Sequence, residues 1–163
     1  HIEINNINIE YNEFYIYAKS TEWMEYILKR IDINEPISMC YNEKSMLVNN
    51  IIEYYMDDKS HSGYKRIELL LEYGANIHNK FDENTSYPLI AAFMSNSNNL
   101  YNYDECIICV KLVTLLLKHG CRTDITDSDH HTPYDLLNYC ENNTKQKKVL
   151  KKLLDTYSVI NNI

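Results

Sequence analysis

Apolar residues recur three and four positions apart along two stretches of this chain. In Arg66-Ile-Glu-Leu-Leu-Leu-Glu-Tyr-Gly74 the positions are Ile67, Leu70 and Leu71, and in Leu112-Val-Thr-Leu-Leu-Leu-Lys-His-Gly120 they are Val113, Leu116 and Leu117. This spacing predicts two helices, each with one apolar face that must be buried. Each stretch ends on glycine, which adopts the left-handed conformation that terminates a helix. Polar segments follow, Asn76 to Thr85 and Arg122 to His131. Pro88 and Pro133 then open further helices, because a proline in a first helical turn breaks no hydrogen bond.

The two glycines stand 46 positions apart and the two prolines 45. Shared punctuation of this kind marks a repeated helix-turn-helix unit. Two degenerate copies flank the clear ones. Upstream, Trp23-Met-Glu-Tyr-Ile-Leu28 and Asp32-Ile-Asn34 read as the end of an earlier unit, and Ser45-Met-Leu-Val48 reads as a helix start without its proline. Downstream, Val149-Leu-Lys-Lys-Leu-Leu154 reads as a final helix with no glycine after it. The expectation is a single all-α domain of about four helix-turn-helix repeats, with boundaries near 1–34, 35–80, 81–126 and 127–157.

Glu72-Tyr-Gly-Ala-Asn-Ile77, Tyr87-Pro-Leu-Ile-Ala-Ala92 and Thr132-Pro-Tyr-Asp-Leu-Leu137 resemble the ankyrin repeat, whose signature joins Thr-Pro-Leu-His-x-Ala to Leu-Leu-x-x-Gly-Ala. The period exceeds the family's usual length of about 33 residues. The surplus is expected between the two helices of a repeat, as Asp57-Asp-Lys-Ser-His-Ser-Gly63 and Ser95-Asn-Ser-Asn-Asn-Leu-Tyr-Asn102. Inserts of this polar kind, in an Asn-, Ile- and Tyr-rich chain, look most like the ankyrin proteins of poxviruses. The resemblance implies an ankyrin-repeat solenoid that binds a host protein of innate-immune or cell-death signalling. Such proteins sequester the target or deliver it to a Skp/cullin ubiquitin ligase through an F-box-like segment. No Leu-Pro element of such a segment occurs in Thr156-Tyr-Ser-Val-Ile-Asn-Asn-Ile163. Since the chain starts at His1, it is expected to be part of a longer protein. The alternative readings are an endogenous cytosolic ankyrin scaffold and a small Cys/His metal-binding protein.

Composition narrows the partners. Sixteen Lys and Arg oppose 23 Asp and Glu, for a net charge of -7, and no basic block is long enough to follow a phosphate backbone. Nucleic acid is therefore not expected. The five cysteines are odd in number and lie in apolar segments, which suits free thiols in a reducing compartment, the cytosol or the nucleus. The most apolar stretch, Cys106 to Leu117, is interrupted by Lys111 and is shorter than the roughly 20 residues a membrane span needs.

Three constellations bear on chemistry. Cys106, Cys109, His119 and Cys121 offer four zinc-type donors, but cysteines within an apolar helix behave as small hydrophobes. His130 and His131 sit beside Asp127, Ser128 and Asp129, residues that form turns as readily as sites. Lys145-Gln-Lys-Lys148 with Lys151 and Lys152 makes a basic strip on the last helix. No catalytic residue, metal site or cofactor is assigned, and the chain is not expected to be an enzyme. In the ankyrin family partners bind the turn tips and inner helices. The resemblance accordingly implies Tyr41, Asn42 and Lys44, Tyr54 and Tyr55, Asn79, Phe81, Asp82 and Asn84, Met94, Asp127, Asp129 and His130, and Tyr139. Most of Tyr11, Phe14, Tyr15, Tyr17, Trp23 and Tyr26 are expected to be core or end-cap packing of the first repeat.

Overall fold

Hydroxyl side chains start two of the helices. Ser45 Oγ accepts from the Val48 amide at 3.1 Å, and Thr132 Oγ1 accepts from the Asp135 amide at 3.3 Å. The Asp135 carboxylate accepts in return from the Thr132 amide at 2.8 Å and its hydroxyl at 2.6 Å. Each satisfies a donor that the first helical turn leaves without a partner. Those hydrogen bonds from Thr132 also hold the Asp135 carboxyl below its ordinary range.

The computed structural model describes residues 21–30, 32–34, 37–38, 43–56, 61–78, 87–94, 104–139 and 144–161. In chain order these form α1 (Thr21–Leu28), β1 (Ile37–Ser38), β2 (Glu43–Lys44), α2 (Met46–Met56), α3 (His61–Glu72), α4 (Pro88–Met94), α5 (Asp104–Lys118), α6 (Pro133–Tyr139) and α7 (Thr144–Asn161). Helix accounts for 71% of the described residues, in keeping with an all-α class. The sequence pattern did not announce the small hairpin, in which Ile37 pairs with Lys44 and Ser38 with Glu43, antiparallel.

Two of the longer helices close in the same way. Gly74 and Gly120 have φ of 86° and 93°. The Ala75 amide donates to the Leu70 carbonyl at 2.9 Å and the Gly74 amide to the Leu71 carbonyl at 3.1 Å. Cys121 and Gly120 repeat the pair on Leu116 and Leu117, at 3.2 and 3.1 Å. This double hydrogen bond satisfies carbonyls at the helix end and requires the left-handed residue that glycine supplies.

The helices pack in two layers. Within each unit α2 lies against α3, α4 against α5 and α6 against α7. Between units α2 meets α4 and α4 meets α6 in one layer, while α1 meets α3 and α5 meets α7 in the other. Lys111 of α5 lies 3.9 Å above the Tyr64 ring of α3, which links the remaining pair. The core runs through the whole stack, from Met24, Leu47 and Ile51 through Ile67, Leu70, Leu89 and Ile90 to Leu112, Leu116, Leu117 and Leu154, all essentially inaccessible. Asparagines stitch successive units. Asn34 accepts from the Asn76 amide at 2.7 Å and donates to the Gly74 carbonyl at 3.3 Å. Asn161 donates to the carbonyls of Leu117 and Cys121, both at 2.9 Å.

Three expectations change. The segment Asp57–Gly63 is not an insert throughout, because α3 begins at His61 and Gly63 is a buried helical residue. The last unit runs past 157 to Asn161, since Tyr157 occupies the place of Gly74 and Gly120 and the helix continues. Tyr26 is 37% exposed, with the Arg30 guanidinium 3.5 Å above its ring, so it is not core. The insert at Ser95–Asn102 and the aromatics Tyr11, Phe14, Tyr15 and Tyr17 lie outside the described residues, as does the Trp23 side chain.

Leu116→Ala is expected to destabilise the fold by about 2–5 kcal/mol through loss of contacts and a cavity. Gly120→Ala meets no steric obstacle around a new Cβ, so its cost is the left-handed backbone alone, about 1–2 kcal/mol. Chemical denaturation followed by circular dichroism measures both.

Candidate partner-binding surface

The segment 121–131 joins α5 to α6, and its order comes from side chains that fold back on the backbone. Asp127 Oδ1 accepts from the Asp129 amide at 2.9 Å and the His131 amide at 2.8 Å. The Asp127 amide donates to the His131 carbonyl at 3.0 Å, closing a hairpin-like turn. Its second oxygen lies 3.3 Å from His131 Nδ1, and the Asp127 side chain is only 4% exposed. His130 takes a left-handed φ of 64° at the tip, a conformation in which histidine is enriched but which remains uncommon. Ser128, Asp129 and His130 are exposed.

The donors of Asp127, Asp129 and His131 come within 4.8 Å of one another. Asp127 is already engaged on both oxygens, so the cluster explains the turn. Nearby, Arg122 grips Asp124 through two hydrogen bonds of 2.9 and 2.6 Å, which hold that carboxyl below its ordinary range. Both residues are exposed, so this pair contributes little to stability.

The residues implied by the resemblance are therefore not equivalent. Asp129 and His130 stand out at a turn tip, whereas Asp127 is the tip's internal anchor. Tyr54 is a correction: it is 4% exposed and part of the core, because its face of α2 points at α3 and α4 and not at solvent. Lys44 is in β2, Tyr55 in α2, Met94 ends α4 and Tyr139 ends α6; their side chains lie outside the described residues. Tyr41, Asn42, Asn79, Phe81, Asp82 and Asn84 lie outside them altogether.

Of the four residues of the cysteine constellation, the described side chains are those of Cys121 and His119. Cys121 is fully buried, its thiol 3.8 Å from the Ile77 carbonyl, and burial pushes its pKa up to about 12. His119 is exposed, on the other side of Gly120. The side chains of Cys106 and Cys109 lie outside the described residues.

A groove between α1 and α3 was not anticipated. It has a volume of about 680 Å³ and is lined by Leu69, by the carboxylates of Glu22, Glu25, Glu68 and Glu72, and by Thr21, His61, Ser62 and Lys65. Glu25 is bound by Lys29 at 3.1 Å and by the Tyr73 hydroxyl at 3.1 Å, and the Lys29 hydrogen bond holds its pKa down. Glu68 is paired with Lys65. The acidic positions on each helix were visible in the sequence, but only packing brings the two helices side by side.

Among the described residues no helix is long and apolar enough to cross a membrane. No protein-family model matches the chain, and no curated protein matches it either.

Replacing Asp127 by Ala is expected to cost about 1–3 kcal/mol, since it strands amide donors in the turn, while Asp129→Ala stays within about 0.5 kcal/mol. Thermal unfolding of the two variants separates an anchor from an exposed side chain. The pH dependence follows from Cys121. A raised thiol pKa stabilises the fold fully below 9.0, the ordinary value, and that contribution is lost as pH rises toward about 12. The slope reaches up to about 1.4 kcal/mol per pH unit, and Cys121→Ala should flatten it in urea titrations above pH 9.

Proposed function

We propose that the chain is an ankyrin-type solenoid acting as a protein-interaction module without catalysis. The observation that carries the reading is the recurring unit of turn, short inner helix, longer outer helix and left-handed glycine, stacked so that each unit touches its neighbours. Such stacks build extended surfaces and suit protein partners. The inner helices α4 and α6, seven residues each, both begin with proline, and the turn before α6 presents Asp129 and His130 to solvent. Interface energy concentrates in a few such anchors.

In the fuller proposal this is a module of a viral ankyrin protein that engages a host innate-immune or cell-death signalling protein in the cytosol. It holds the target by sequestration, or delivers it to a Skp/cullin ligase through a segment elsewhere in the protein. What supports this is the resemblance in the sequence of the repeats.

The test is affinity capture from host-cell lysate with the wild-type chain and with an Asp129→Ala, His130→Gly variant. Glycine preserves the left-handed tip and removes only the imidazole. A signalling protein bound by the wild type and lost from the folded variant is the expected result. Equal capture by both removes the tip from the interface.

A further inference from the structure

Two surfaces far apart along the described helices carry opposite charge. At the first, Glu22 and Glu72 border the α1–α3 groove; both are exposed, and neither has an ion pair among the described residues. At the other, α7 carries five lysines against one aspartate in a chain whose net charge is -7. Of these, Lys148, Lys151 and Lys152 are exposed and make no ion pair among the described residues.

The same helix has a second apolar side. Its buried side is marked by Leu150 and Leu154, which pack into the core. Val149, Leu153 and Ile160 recur four and seven positions apart on another flank, a spacing that aligns them along the helix. Val149 is 44% and Ile160 60% exposed, and Leu153 is half-buried. Lys148 and Lys152 border this stripe. An apolar strip edged by lysines matches a groove lined by Leu69 and by four glutamates against one lysine, Lys65. Within one copy the two cannot meet, because α1 lies against α3 while α7 lies against α5 and α6.

We propose that α7 of one copy docks into the α1–α3 groove of a second copy, joining the chains head to tail. The contact is heterologous, so it leaves one free groove and one free α7 at the ends of every open assembly and permits growth with concentration. Complementary charge supplies orientation and partner choice, and the apolar strip on Leu69 supplies the buried contact.

Sedimentation velocity of the 163-residue chain tests this directly. In low salt the wild type is expected to grow in average mass as its concentration rises toward about 1 mM, and to return to monomer in about 1 M NaCl, where the screening length falls to about 3 Å. A Glu22→Lys, Glu72→Lys variant and a Lys148→Glu, Lys152→Glu variant should each associate about tenfold more weakly or not at all. All four sites are exposed, and circular dichroism checks that each variant remains folded. Mixing the two is the decisive arm. The unaltered α7 of one variant meets the unaltered groove of the other, and the reversed α7 meets the reversed groove, so the mixture should regain association. A monomeric wild type across this range, association untouched by either variant, or a mixture that stays monomeric overturns the proposal.

Discussion

The architecture depends on a left-handed glycine at the end of a buried helix. Gly74 and Gly120 each let the backbone reverse while two amides return to carbonyls of the final turn. The reversal sets where the chain leaves one layer, and so where the next turn and inner helix begin. Burial of leucines on α3 and α5 provides the stabilising force, but it acts without direction. The glycine decides how that burial is partitioned into successive units.

The last unit shows what happens without it. Tyr157 stands at the corresponding position, the helix gains a further turn, and Asn161 then reaches the carbonyls of Leu117 and Cys121. One absent glycine thus replaces a reversal by a clasp onto the preceding unit. The same extra turn carries Val159 and Ile160 into solvent, at 71% and 60% exposure. The unit that ends in α7 therefore differs chemically from the two before it.

The candidate surface is likewise divided by what each side chain must do for the fold. Asp127 and its neighbours Asp129 and His130 look alike in the sequence as polar turn residues. In the structure Asp127 spends its oxygens on the turn, leaving the other two free to meet a partner. The Arg122–Asp124 pair neutralises a further charge beside them. A binding proposal built on every polar residue of the tip would have counted the same carboxylate as both scaffold and contact.

Periodicity was enough to locate α3, α5 and their terminating glycines, and proline placed the first residues of α4 and α6, because these signals act within a few residues of chain. Local pattern could not tell that Tyr54 is core, since its burial depends on α3 and α4, elements distant in the sequence. Nor could it see the α1–α3 groove, whose acidic walls come from helices some 40 residues apart. What the sequence alone determined is where α3 and α5 stop and where α4 and α6 start. Which faces were covered, and which charges were left to face solvent together, was decided by the stacking of the helices, because burial is a property of neighbours and not of a residue.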